Sequence, residues 1–229
     1  MAERSDERRR RPLLLAHRGD WRVAPENSLE ALVAATRIPQ CDGVEFDVRL
    51  SRDGVPVLLH DETLRRVQRR PGRVDALDAA ELALAGIPSL WAVVEALPAD
   101  AFLDVELKGD AHGAATASVL RTARGESPQR AVVSSFDGTT LAAVRELLPG
   151  WTRWLNAEEL TPATLSFAVG LGCSGVSVRW GSITAASVEQ AQAARLVVAA
   201  WTVRRRPTVD RLGALGVVAC CVEGQALDA

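Results

Sequence analysis

The fold class predicted by this sequence is α/β, a closed (β/α)8 barrel of the TIM type, and three observations carry it. Eight short β-like runs recur along 229 residues, stretches rich in Ala, Leu and Glu with helical spacing lie between them, and no Pro-, Gly- or Ser-rich linker divides the chain. Strands alternating with helices make parallel βαβ units, and one closed barrel is the economical arrangement for a chain of this length. With 48% hydrophobic residues, the chain has enough apolar surface for a sizeable core.

The strand candidates are LLLAH (13–17), GVEFDV (43–48), AFLDVELK (101–108), AVVSSF (131–136), TRWLN (152–156), GVSVRW (175–180), LVVAAWTV (196–203) and VVACCV (217–222). The helix candidates span 27–37, 89–97, 112–123, 138–147, 162–170, 184–194 and 207–214. Capping residues support several starts: Asn27 followed by Ser28 and Glu30, Thr161 before Pro162, and Thr184. After the second strand, Ser51 to Gly54 is a turn signal, and VPVLLH reads as a short returning strand that brings His60 back towards that strand's end. Only EGQALDA follows the eighth strand, too little for a full outer helix, so the N-terminal tail or a partner subunit is expected to cover that gap. Residues 1–11 read as a flexible charged tail, and 12–229 as a single barrel domain.

A formal net charge of −2 and a pI near 6.0 leave no basic footprint for nucleic acid and no polybasic membrane face. The apolar run Leu13–Ala16 is too short for an export signal, and no stretch approaches the ~20 residues of a membrane span, so no stable membrane anchor is expected. Cys41, Cys173, Cys220 and Cys221 form no C-x-x-C pair and read as reduced packing residues of a cytoplasmic protein. A small-molecule partner and a monomer or homodimer are the expectation.

Residues two apart share a face of a strand, so Glu45, Asp47 and Arg49 point one way, and so do Asp104, Glu106 and Lys108. In an antiparallel sheet such a face would lie in water. In a parallel series covered outside by helices, it looks into the barrel, where buried charges need partners or a metal. Carboxylates converging at neighbouring strand ends repel one another unless a cation lies among them, and oxygen-only ligands point to a hard divalent ion, Mg²⁺ or Ca²⁺. Glu45, Asp47 and Glu106 are the candidate ligands.

Two of the three histidines, His17 and His60, aim at the same end and suit acid/base work near neutral pH, whereas His112 reads as a bystander at the rim. Arg18 and Lys108 either grip an anionic substrate or neutralise the carboxylates.

The ordered series AHRGD, APENSLEAL, GVEFDVRLSRDGVPVLLHDETLRR, LDVELK, SSF and AAWTV resembles the glycerophosphodiester phosphodiesterase family of metal-dependent TIM barrels, from about Leu14 to Val203. The resemblance implies hydrolysis of a glycerophosphodiester to glycerol 3-phosphate and an alcohol, with one divalent cation on Glu45, Asp47 and Glu106 and with His17 and His60 as the acid/base pair. It further implies that Arg18 and Lys108 bind the phosphate, that Glu26 belongs to the substrate site beside Asn27, and that Trp201 looks into the mouth. The other tryptophans read as packing residues.

Two stretches depart from the family pattern. RRVQRRPGRV replaces a Gly-rich run after His60-Asp61, and the inserted segment that follows is shortened, which opens the headgroup side of the site. In the tail, Glu223 stands where the family carries Asp. A lysophospholipase D-like phosphodiesterase and a catalytically silent phosphodiester-binding barrel are the competing readings, with a metal-dependent aldolase or enolising barrel behind them.

Overall fold

Eight parallel strands close on themselves in the computed structural model, which describes residues 11–228. They are β1 (Leu13–His17), β2 (Gly43–Leu50), β4 (Phe102–Leu107), β5 (Ala131–Ser135), β6 (Thr152–Ala157), β7 (Gly175–Arg179), β8 (Val197–Val203) and β9 (Ala219–Val222). The ring is completed where β1 pairs with both β2 and β9. The short β3 (Pro56–Leu58) lies antiparallel on β2, as the turn at Ser51 to Gly54 requires. Gly54 takes a φ of 77° there.

Seven of the helices match the expected segments: α1 (Leu29–Thr36), α3 (Leu90–Ala96), α4 (Ala114–Arg124), α5 (Gly138–Leu147), α6 (Pro162–Gly170), α7 (Ala185–Ala193) and α8 (Arg206–Ala214). Short α2 (Ala79–Leu84) is not among those segments; it belongs to the shortened insertion, where Leu82 packs with Val57, Leu59, Leu64, Val74 and Ile87 in a small satellite core. The predicted caps hold at Thr161 and Thr184, whose hydroxyls accept from Thr164 and Ser187 backbone N–H groups. At α1 the cap is Ser28, whose hydroxyl accepts from Ala31 N at 3.2 Å. Asn27 is instead drawn into the barrel mouth.

Alternation along the strands divides the apolar residues into two bodies. Outward side chains such as Leu14, Val44, Phe46, Leu103 and Val105 are fully buried beneath the helices. Each such side chain contributes about 1.5–3 kcal/mol of burial. Inward, Leu15, Phe102, Val132, Trp154, Ala199, Ala219 and Cys221 plug the barrel, with Phe102 and Trp154 stacked at 6.1 Å.

The eighth barrel strand, β9, is followed among the described residues by a 3₁₀ turn and not by a full outer helix. Its outward Cys220 and Val222 are fully buried in one cluster with Ala226 and Leu227, from the 3₁₀ turn Gly224–Leu227 that stands in for a last helix. The expected tail lies outside the described residues except for Arg11, whose guanidinium donates to Asp42 at 2.6 Å. Among the other tryptophans, Trp151 and Trp154 are packed as expected, whereas Trp21, Trp91 and Trp180 are 40–48% exposed.

Candidate active site

The carboxyl ends of the strands carry the charged residues. His17 ends β1 opposite Glu45, while Glu45 and Asp47 of β2 stand opposite Asp104 and Glu106 of β4. Oxygen atoms of Glu45, Asp47 and Glu106 all lie within 4.8 Å of one another. Asp104, level with Glu45 and one inward position below Glu106, is not in that group; its Oδ1 accepts from Ser134 Oγ at 2.6 Å. Burial pushes the Asp104 carboxyl up to about 7 despite that bond.

The three clustered carboxyls differ. Burial, then Asp47 and Glu106, push Glu45 well above the usual carboxylate range. Glu106 is raised by burial and by Asp47, against the pull of Lys108. For Asp47 burial acts in the same direction, but Lys108 and Arg18 outweigh it and hold this carboxyl at about 2. Lys108 Nζ lies 3.1 Å from Asp47 Oδ1 and also donates to Glu106 Oε1. Arg18 Nε lies 3.0 Å from Asp47 Oδ2 and its Nη1 donates to Glu26 at 2.8 Å. Both cations therefore neutralise carboxylates, one of the two roles expected of them, while each also lines the cavity.

Local backbone geometry aims these groups. Arg18 has a φ of 60° and Gly19 a φ of 86°, which turn the chain sharply at the end of β1. A Cβ on Gly19 would lie 2.6 Å from the Ala31 carbonyl carbon, so only glycine lets this turn press on α1. Asn27, with a φ of 58°, donates its amide to Asp47 Oδ2 at 2.8 Å and accepts from Asp47 N at 3.1 Å.

His17 and His60 each have a carboxylate behind them. His17 Nδ1 donates to Glu223 Oε1 at 2.6 Å, leaving Nε2 3.8 Å from Glu45 Oε2. Arg204 in turn donates to Glu223 at 2.8 Å, and these partners hold the Glu223 carboxyl at about 2 although burial raises it. His60 Nδ1 donates to Asp61 Oδ1 at 2.7 Å, and Arg49 Nε donates to the His60 carbonyl at 2.9 Å. Burial lowers the His60 imidazolium below its ordinary value, against the support of Asp47 and Asp61. Arg66 clamps Asp61 and Glu26 together, donating to both at 2.7 Å.

His17, Arg18, Glu45, His60, Glu106, Lys108 and Trp201 line one cavity of about 230 Å³. Asp47 and Glu26 stand behind this lining, paired to Arg18. His112 is at the rim, with Nδ1 3.4 Å from the Gly109 carbonyl oxygen. Sequence reasoning missed the orienting roles of Glu223, Asp61, Arg66 and Asn27. Asp61 and Asn27 adjoin assigned residues; the Glu223 contact spans 206 positions, and the sequence marks that residue only as a departure in the tail pattern.

The model of the glycerophosphoryl diester phosphodiesterase family matches residues 17–102 and 99–223. The chain belongs to this family. It is thus a phosphoric diester hydrolase, an assignment that agrees with its relatives. It is 27% identical over 222 residues to the glycerophosphodiester phosphodiesterase of Caldanaerobacter subterraneus subsp. tengcongensis, covering 90% of this chain and 91% of that protein. To the human glycerophosphodiester phosphodiesterase 1 it is 34% identical over 141 residues, 53% of this chain and 42% of that protein. Among solved structures, the Oleispira antarctica phosphodiesterase in complex with its product sn-glycerol-3-phosphate superposes with a TM-score of 0.79 at 26% identity, covering 93% of each chain. The four cysteines are free, and among the described residues no helix is long and apolar enough to cross a membrane.

Proposed function

We propose that this family member cleaves small glycerophosphodiesters to glycerol 3-phosphate and an alcohol, with a divalent cation held by Glu45, Asp47 and Glu106 and with His17 and His60 as the acid/base pair. The observation that carries the reading is the meeting of two carboxylate-backed imidazoles and a three-carboxylate cluster in one cavity.

The residues fit a hard cation. The donor set is all oxygen, and Glu45 Oε1 is buried without a hydrogen-bond partner among the described residues. Mg²⁺ and Ca²⁺ share this ligand chemistry. When bound, such an ion supplies positive charge to the phosphoryl oxygens. Arg18 and Lys108 add guanidinium and ammonium donors that fix the phosphate against the cluster and offset the charge developing on it.

His60, whose protonation burial disfavours, takes the proton from the attacking water, whose oxygen bonds to phosphorus as the bond to the alcohol breaks. His17, oriented by Glu223, delivers a proton to the departing alcohol oxygen. Asp61, Arg66 and Glu26 tie the His60 loop to Arg18, so the base and the phosphate grip are set by one ionic chain. The free cysteines support a cytoplasmic setting, in which the protein acts as a monomer or homodimer.

The test is release of glycerol 3-phosphate from glycerophosphocholine and glycerophosphoethanolamine with Mg²⁺, with Ca²⁺ or with excess chelator. Metal-dependent release that is abolished in His17→Ala and in His60→Ala, each with a native circular dichroism spectrum, is the expected result. Release that ignores the chelator overturns the metal reading. Near-normal rates in either histidine variant remove the acid/base pair.

A further inference from the structure

A second recess opens at the same end of the barrel as the cavity that holds the histidines. It has about 250 Å³ and is lined by Trp21, Arg204, Arg205, Glu223, Gly224 and Gln225. Trp21 lies in the turn after β1, Arg204 and Arg205 follow β8, and Glu223 follows β9; these three strands are adjacent in the ring. The two spaces meet at one hydrogen bond, because His17 lines the cavity and its Nδ1 donates to Glu223, which lines the recess.

Charge in the recess is one-sided. Both Glu223 oxygens are taken, Oε1 by His17 and Oε2 by Arg204 Nε, so this carboxylate is neutralised where it stands. Arg204 spends only Nε, and its remaining donors are free on an exposed side chain. Arg205 is exposed and has no carboxylate partner among the described residues. The Trp21 indole, 48% exposed, adds an apolar surface beside the two guanidinium groups. Guanidinium forks match the oxygens of a phosphate, and the indole face takes a carbon skeleton.

We propose that this recess is the outer part of the alcohol subsite, and that Arg204 and Arg205 select glycerophosphodiesters whose alcohol carries a phosphate of its own. This rests on the proposed function for one point: His17 protonates the departing oxygen, so the alcohol leaves from the side of the site that adjoins the recess. The reach is short, since only the Glu223 carboxylate separates the imidazole from the Arg204 guanidinium. A polyol of that span lays its carbon on Trp21 and brings its phosphate to the arginines. A cationic alcohol such as choline meets like charge there. One exposed ion pair contributes little, but two forks closing on a single dianion act together.

The experiment compares glycerophosphoinositol with glycerophosphoinositol 4-phosphate, which differ by one phosphate, as substrates of the full chain with Mg²⁺ or Ca²⁺ at low ionic strength. The kcat/KM is expected to favour the phosphorylated diester by about tenfold, equivalent to about 1.4 kcal/mol, and added salt should shrink that ratio. The double variant Arg204→Gln, Arg205→Gln should bring the ratio near one, whereas Arg204→Lys, Arg205→Lys should keep most of it. Reading the ratio within each variant cancels any effect that Arg204 has on His17 through Glu223.

Equal kcat/KM for the two diesters in the wild type, or a tenfold ratio that persists in the double Gln variant, overturns the proposal. So does loss of the ratio when inorganic phosphate is added at the substrate concentration, which identifies a free anion as the occupant; a phosphate tethered to the substrate outcompetes it. If the folded chain cleaves neither diester, the hydrolytic reading fails, and calorimetric titration of the same pair then reads the recess. Tighter binding of the phosphorylated diester that is lost in the double Gln variant upholds the arginine assignment, and equal affinity or no binding removes it.

Discussion

Glu223→Gln is the sharpest probe of the site, because it keeps the size of the side chain and removes its charge. Glu223 accepts from His17 Nδ1 at 2.6 Å and from Arg204 Nε at 2.8 Å. The Arg204 side chain is 75% exposed, so its ion pair contributes little. The contact with His17 is mostly buried, with side-chain exposures of 16% and 10%, and a hydrogen bond to a charged group in such a setting contributes about 1.5–3 kcal/mol. If that bond holds the imidazole in place as its proton passes to the leaving alcohol, its loss falls on the transition state. The expected fall in kcat is about 10- to 150-fold. KM should stay within about threefold, since Glu223 is not placed against the substrate. The assay is the initial rate of glycerol 3-phosphate release over a range of glycerophosphocholine concentrations with the supporting cation, alongside a urea midpoint as a control for folding. A kcat within about threefold of wild type, at unchanged stability, refutes the claim that Glu223 acts through His17.

Two further outcomes concern stability. Asp61 and Glu223 are both held at about 2, below ordinary values of 3.8 and 4.5, so the folded state binds their protons less readily than the unfolded chain does. Their stabilising contribution is full above about pH 5 and is lost as pH falls towards 2; the urea midpoint should decline through that window, and less steeply in Asp61→Asn. A decline of equal slope in the variant removes Asp61 from the account. Gly19→Ala places a Cβ 2.6 Å from the Ala31 carbonyl carbon at a φ of 86° and should cost at least about 2 kcal/mol in urea unfolding, with Arg18 displaced and activity lost. An unchanged midpoint shows that the turn and α1 separate easily.

The parts of the molecule legible from sequence are those governed by local periodicity. The run LLLAH and the alternation in GVEFDV and LDVEL state strand positions and facing together, and the parallel context then turns Glu45, Asp47 and Glu106 inward. The α1 cap lies one residue later than expected because Asn and Ser are both good caps, and only the tertiary demand of Asp47 takes Asn27 away. Helix α2 escapes notice because six residues with one buried side chain are too short for helical spacing to register, and that anchor, Leu82, finds its partners in β3 and the loops around it. Glu223 stands out in the sequence only as a departure in the tail pattern, and its pairing with His17 is illegible there. Its significance lies in what the closing of the barrel brings beside it, and a strand pattern records facing but not neighbours across the ring.

The apolar plug of Leu15, Phe102, Val132 and Trp154 makes the cavity a vessel with a single door. Nothing can pass through the barrel along its axis, so an arriving diester and both departing fragments must share the rim, one after another.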